Sequence, residues 1–469
     1  MESLGDVAQA VILLCLLLLV GKGVRRAVPL FDRLYLPTSI IAGVIGLLLG
    51  PQVAGRLLAG HAPLADGLIP AAALDVWNQM PRLLISVVFA GLFIGKTLPG
   101  LRKLWRMGGP QTLLGYTISC GQYTVGLLVT LLALTPLFGI NPLAGVLVEI
   151  SMSGGHGTAA GLAGTFAELD FAAGEDLALG LATVGLVAGV VLGTVFVNLA
   201  VRSRRITIAR QQPADGTEHL ELSALQSNEA PEAGDDGESS TDPLTLHLAL
   251  IAVAIAIGWG LLKALVTIES LTYGPYTGPL MPYVPLFPVA MIGGAILQGV
   301  LMWTGLARHV SRELINRICG LSLDFIIVSA MATLSLASIG ENWMPFTALA
   351  VTGIAWTAFC FWVLAPRMLP DHWFERGIGD FGQGTGMAVS GLLLMRIADP
   401  ANRSGALESF GYKQLPFEPF LGGGLLTALA LPLCARLGPV VLLVGFGTAT
   451  LLAIVTGILV FGPRRGARE

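Results

Sequence analysis

"SMSGGHGTAAG", residues Ser151–Gly161, breaks an apolar region with four glycines, a histidine, two serines and a threonine. Glycine inside a helix costs about 1 kcal/mol relative to alanine. So many in so short a span mark either a close helix crossing or backbone freed to meet something small. The rest of the chain decides between the two.

Its 469 residues are 54% hydrophobic and only 12% charged, where soluble proteins carry about 25% charge. Apolar segments of roughly 20 residues recur, the length that crosses a bilayer core, without the alternation of an outer-membrane barrel. The composition describes an all-α polytopic membrane protein. Cys15, Cys120, Cys319, Cys360 and Cys434 lie in apolar segments with no short spacing between them and read as small buried hydrophobes. The six histidines have no second ligand at helical spacing, so no transition-metal site is expected. Val7–Val20 has acidic residues before it and Lys22, Arg25 and Arg26 after it, which suits a retained helix rather than a signal peptide.

Spans are predicted at about 7–23, 38–58, 83–101, 111–137 and 177–201, then 245–266, 284–304, 319–339, 345–366 and 419–436, with one more at 440–462. Loops holding Lys22, Arg25, Arg26 and Arg33, then Arg102, Lys103 and Arg106, then Arg202, Arg204 and Arg205 are placed in the cytoplasm by the positive-inside rule, with the N-terminus outside. Between the second and third of these loops the chain must cross an even number of times. Two helices already do so, so the broken stretch at about 142–165 is expected to enter and leave on one side, as a re-entrant hairpin. A second broken stretch, at about 378–397, lies between Arg367 and Arg376 on one flank and Arg396, Arg403 and Lys413 on the other. It is expected to dip from the cytoplasmic side.

"YLPTSIIAGVIGLLL" from Tyr35 aligns without gaps on "YVPLFPVAMIGGAIL" from Tyr283, matching Pro37 with Pro285 and Gly46 with Gly294. "GGHGTAAG" meets "FGQGTGMA", matching Gly155 with Gly382, Gly157 with Gly384 and Thr158 with Thr385. Five crossings and one hairpin per copy make two inverted repeats, 1–202 and 244–438, followed by an extra C-terminal helix and tail at 439–469. Between the copies, 203–243 carries nine Asp and Glu from Gln211 onward with no Lys or Arg and is expected to be a disordered cytoplasmic linker. Inverted repeats with broken helices at matching positions point to a secondary transporter, with its site at the breaks.

Freed amides there can hold an anion, and freed carbonyls and hydroxyls can hold Na⁺. Gly154, Gly155, His156, Gly157, Thr158, Gly382, Gln383, Gly384 and Thr385 are therefore the substrate-binding candidates, for a small dicarboxylate or amino acid. Ser153, Glu149, Asp380 and Asp324 are the ion-binding candidates, because a charge at membrane depth calls for a partner or an ion. Asp324 has Arg317 two turns away and also suits the membrane interface. His156 could carry a proton, but its repeat partner Gln383 cannot titrate, which favours a hydrogen-bonding role. No helix shows the polar stripe or charged ring of a channel. No nucleotide loop, zinc-protease motif or triad marks an enzyme, and no nucleic-acid partner is expected.

"SGGHGTAAG" and "GLSLDFIIVSAMATLSL" resemble the bacterial sodium/glutamate symporter family, and the repeat layout extends that resemblance over nearly the whole chain. The resemblance implies Na⁺-driven glutamate uptake across the bacterial inner membrane by a homodimer. It also implies that a transport core slides against a fixed scaffold, elevator fashion. The second hairpin, "GIGDFGQGTGMAVSG", departs from the G-x-G-A-T-P-like tip of that family, and Asp324 stands where a neutral residue is expected. A carrier of another carboxylate, such as citrate, coupled to Na⁺ or H⁺, is the alternative.

Overall fold

The computed structural model describes residues 4–33, 36–56, 67–96, 101–202, 242–272, 281–400 and 402–463. The acidic linker, apart from Asp242 and Pro243, lies outside the described residues, as do Tyr35, Arg204, Arg205 and the end of the C-terminal tail. So do the side chains of Arg33 and Lys103.

Every regular element among the described residues is a helix. In order, the main ones are α1 (Leu4–Ala27), α2 (Thr38–Leu49), α3 (Ala71–Ala90), α4 (Leu101–Val129), α5 (Leu147–Met152), α6 (Gly155–Gly161) and α7 (Ala173–Arg202). There follow α8 (Pro243–Leu271), α9 (Leu286–Trp303), α10 (Arg312–Thr333), α11 (Trp343–Phe359), α12 (Trp373–Ala398), α13 (Ala406–Phe417), α14 (Leu425–Leu437) and α15 (Pro439–Thr456). Nine helical segments among the described residues are long and apolar enough to cross a membrane, against eleven expected spans.

The two that fall short have physical reasons. The span expected at 83–101 is instead α3, which starts twelve residues earlier at Ala71 and stops at Ala90. Its polar first half is accommodated because Trp77 is buried and donates from Nε1 to Ala10 O at 3.0 Å. The apolar residues after it turn irregular, and Gly95 has φ +76. The span expected at 419–436 is helical only over Leu425–Leu437, because Gly422 and Gly423 take positive φ in the loop before it.

The chain divides into two compact units, and each draws on both halves of the sequence. The first comprises Met1–Lys22, Thr38–Leu98 and Ala214–Thr333. Ala10, Leu14, Trp77 and Val328 form part of its core. Arg312 donates to Gly91 O and Ile94 O at 2.6 and 2.7 Å, which holds the irregular segment after α3. The second unit comprises Gly23–Pro37, Pro99–Pro213 and Leu334–Glu469, and so contains both broken stretches. Its core includes Phe361, Phe374, Phe381 and Phe410.

Two π-helical stretches in the second unit occupy matching places. Thr130–Leu134 ends α4 and is followed by Pro136 in a last helical turn, just before the first broken stretch. Cys360–Leu364 ends α11 and is followed by Pro366 in a last helical turn, just before the second. Proline has no N–H to donate and its ring crowds the carbonyl four residues back, so the turn before it widens.

Candidate functional site

The first broken stretch opens with a 3₁₀ turn, Pro142–Val146, capped by Asn141, whose side chain accepts from Leu143 N at 3.0 Å. α5 follows, and the helix then breaks at Ser153 and Gly154 and restarts with α6. Gly155 takes φ +77 at this break, a conformation that a side chain opposes. In the second stretch, α12 consists of two arms separated by non-helical Gly386 and Met387. The expected tip residues Gly382, Gln383, Gly384 and Thr385 form the last turn of the first arm, immediately ahead of the reversal. The arms lie so close that a Cβ on Gly382 would stand 2.7 Å from Gly391 Cα.

The two breaks meet. A Cβ on Gly155 would collide with Cγ and Sδ of Met387. Met387 is half-buried and holds φ 76 with ψ 166, a non-glycine residue in left-handed territory. Such backbone costs about 1–3 kcal/mol and persists only where surrounding packing imposes it. Gly185, Gly189 and Gly193 on α7 pack against the same hairpin on either side of its reversal. A Cβ on the first two would strike Thr385, and one on the third would strike Leu394. Broken backbone at the tips thus sits beside a close crossing made by the glycines of α7.

One face of α4 joins the breaks. Ser119 Oγ donates to Ser153 Oγ at 3.1 Å, and Ser153 Oγ donates to Gln122 Oε1 at 2.8 Å. Gln122 Nε2 donates onward to Thr357 Oγ1 at 3.0 Å and to Gly384 O at 2.5 Å. A single buried amide thus holds a side chain of the first hairpin and the backbone of the second. Thr158 and Thr385 donate to carbonyls one turn back, Gly154 O and Phe381 O, each at 2.9 Å. Their oxygen lone pairs remain available to a cation.

Glu149 is fully buried on α5. Its Oε2 accepts from the Tyr123 hydroxyl, and its Oε1 accepts from Gly422 N at 2.9 Å and Thr427 Oγ1 at 3.1 Å. All three donors are neutral. Among the described residues no basic side chain forms an ion pair with it.

Asp380 is the opposite case. Lys413 Nζ, on α13, lies 2.5 Å from its Oδ1, both side chains being essentially inaccessible, and Gln111 Nε2 donates to its Oδ2 at 3.1 Å. Lys413 also donates to Gln383 Oε1 at 2.6 Å, and Gln414 Nε2 reaches the same oxygen at 3.1 Å. The ammonium rests 4.5 Å from the Phe417 ring centroid. Its stem crosses α4 where Gly115 has no side chain; a Cβ there would lie 2.6 Å from Lys413 Cε.

His156 is buried, with Nε2 2.9 Å from Thr183 Oγ1. His156 Nδ1 and Ser151 Oγ, both buried in the first hairpin, have no hydrogen-bond partner. Asp324 belongs to the first unit, exposed on α10, and is not among the residues gathered here. Asp399 stands at the C-terminal cap of α12. It accepts from Arg403 N at 3.0 Å, and from Ser404 N and Oγ at 2.7 and 2.6 Å.

Gln111, Ser119, Gln122, Tyr123 and Lys413 are the site residues missed in the sequence reading. Their signal was present. Gln111, Gly115, Ser119 and Gln122 recur at three- and four-residue spacing in an apolar helix, a polar stripe that faces protein rather than a pore.

The family model described as sodium/glutamate symporter matches residues 4–372. The match takes in the first hairpin and α4 and ends just before α12. A search of the curated proteins gives no match.

Proposed function

Because the chain belongs to the sodium/glutamate symporter family, a family of membrane transporters, we propose that it carries glutamate or a similar small carboxylate into the cell with Na⁺. The observation that carries the reading is the meeting of the two broken stretches in one unit, with Gln122 bonded to both.

Substrate is assigned to Gly154–Thr158 of the first break and Gly382–Thr385 of the second, where glycine lets a small ligand approach the main chain closely. His156 Nδ1 and Ser151 Oγ support this, because a buried polar atom without a partner costs about 1–3 kcal/mol. Na⁺ is assigned to Ser153 and Glu149. A buried carboxylate met only by neutral donors gains most from a cation.

The matching π-helix and proline ahead of each break support the two inverted repeats. With both breaks in one compact unit, that unit is the moving part of an elevator and the other unit its scaffold. A homodimer in a bacterial inner membrane completes the reading. The test is uptake of labelled glutamate into proteoliposomes under an inward Na⁺ gradient, with K⁺ replacing Na⁺ as the control. Equal counts in both would sink Na⁺ coupling of glutamate.

A second reading, Na⁺-coupled uptake of a hydroxycarboxylate such as citrate, is favoured by one fact. The residues that build the second hairpin lie beyond the family match. Labelled citrate in the same vesicles distinguishes the two.

A further inference from the structure

We propose that the Lys413 ammonium is a tethered cation that permanently occupies the cation position of the second hairpin, so that Asp380 binds no mobile Na⁺ and transport uses one Na⁺ fewer than that carboxylate would otherwise demand. The inference rests on the Na⁺-coupled reading above and deepens it.

The ammonium has the surroundings of a bound monovalent ion. A carboxylate oxygen lies 2.5 Å away and an amide oxygen 2.6 Å away, both on the first arm of α12. An aromatic face at 4.5 Å takes the remaining side, an arrangement that stabilises a desolvated cation. The position is built for this side chain, since Gly115 leaves room for its stem and Gln111 and Gln414 complete the bonding of Asp380 and Gln383. With one positive and one negative charge, the cluster is neutral and needs nothing from solution. Glu149, bonded only to neutral donors, contrasts with it in the same unit. Removing Lys413 would leave Asp380 buried and uncompensated, a strongly destabilised arrangement that a Na⁺ ion in the vacated position would relieve.

The experiment compares wild type, Lys413→Met and the neutral double variant Asp380→Asn/Lys413→Met, all full-length. Two readings are taken: the Na⁺ order of uptake in proteoliposomes, and the shift in melting temperature of the purified protein on replacing K⁺ with Na⁺. Lys413→Met is expected to raise the Na⁺ order by about one, the charge of the cation removed, and to enlarge the Na⁺-dependent melting shift. The double variant is expected to keep wild-type order and wild-type shift. If Lys413→Met responds to Na⁺ as wild type does, the proposal is overturned, and likewise if the double variant loses part of the wild-type response. Should Lys413→Met fail to fold, the double variant alone decides. Should wild type take up no carboxylate with Na⁺, the transport reading fails. The melting shifts would still decide whether Lys413 fills a cation position.

Discussion

Gln122 uses its amide oxygen for one hairpin and its amide nitrogen for the other. Gln122→Ala removes the acceptor of Ser153 Oγ and the side-chain donor to Gly384 O in a buried site and should cost about 1–3 kcal/mol. The expected outcome is a lower melting temperature together with a several-fold loss of uptake; full uptake in a folded Gln122→Ala protein would show that the bridge is dispensable. Asp399 supplies a pH prediction outside the spans. Burial raises its carboxyl, but bonds from the Ser404 hydroxyl and amide and the Arg403 amide outweigh burial and hold it below the usual carboxylate value. The unfolded chain then binds more protons at intermediate pH. The stabilisation is present above the unfolded value near ~4 and lost as pH falls through the folded value. Melting temperature should therefore fall on acidification below about pH 4, and Asp399→Asn should flatten part of that fall; an unchanged acid slope would refute it. At this scale the sequence showed which residues were out of place in lipid, Glu149 and Asp380 among them. It did not show what each would meet, because Tyr123 and Lys413 lie 26 and 33 residues away in the chain.

The hairpins show what elements add. Their existence was legible from glycine clusters in apolar surroundings. The position of the second reversal was not, because aligning the G-x-G-T pairs sets Gly382 against Gly155, whereas the chain turns at Gly386 and Met387. A helical first arm that runs one turn further accounts for the offset, held by the Thr385 bond to Phe381 O. The seat on α7 gives the element-scale prediction. Gly189→Val should drive a branched side chain into Thr385 and unseat the hairpin, abolishing uptake while the protein still inserts. Gly299→Val, in α9, has open space around its Cβ and should be tolerated. Comparable activity in the two variants would mean that α7 does not position the second hairpin. The polar face of α4 was legible too, but a stripe of four small or polar residues resembles ordinary helix packing until the partner is known.

For the whole molecule, composition alone established the class, because 12% charge leaves too little polar surface for water. The two compact units were not legible, since each is assembled from both halves of the chain. None of the five cysteines is in a disulfide, so a version with all five replaced by Ala or Ser should transport normally. In that background Met387→Cys should react with a membrane-impermeant maleimide from either side of the vesicle, and substrate with Na⁺ should slow both reactions. Labelling from one side only would contradict alternating access. The hydrogen bonds through Ser119, Ser153 and Gln122 to Gly384 all run in one direction, so under the proposed assignment an ion that claims the Ser153 oxygen would change what Gln122 offers the far tip. Reciprocity then applies: whatever factor Na⁺ lends to carboxylate affinity, the carboxylate returns to Na⁺, and couplings of this kind run at about 1–3 kcal/mol. Half-loaded forms become scarce, and a carrier that seldom travels half-loaded dissipates little of the gradient that drives it.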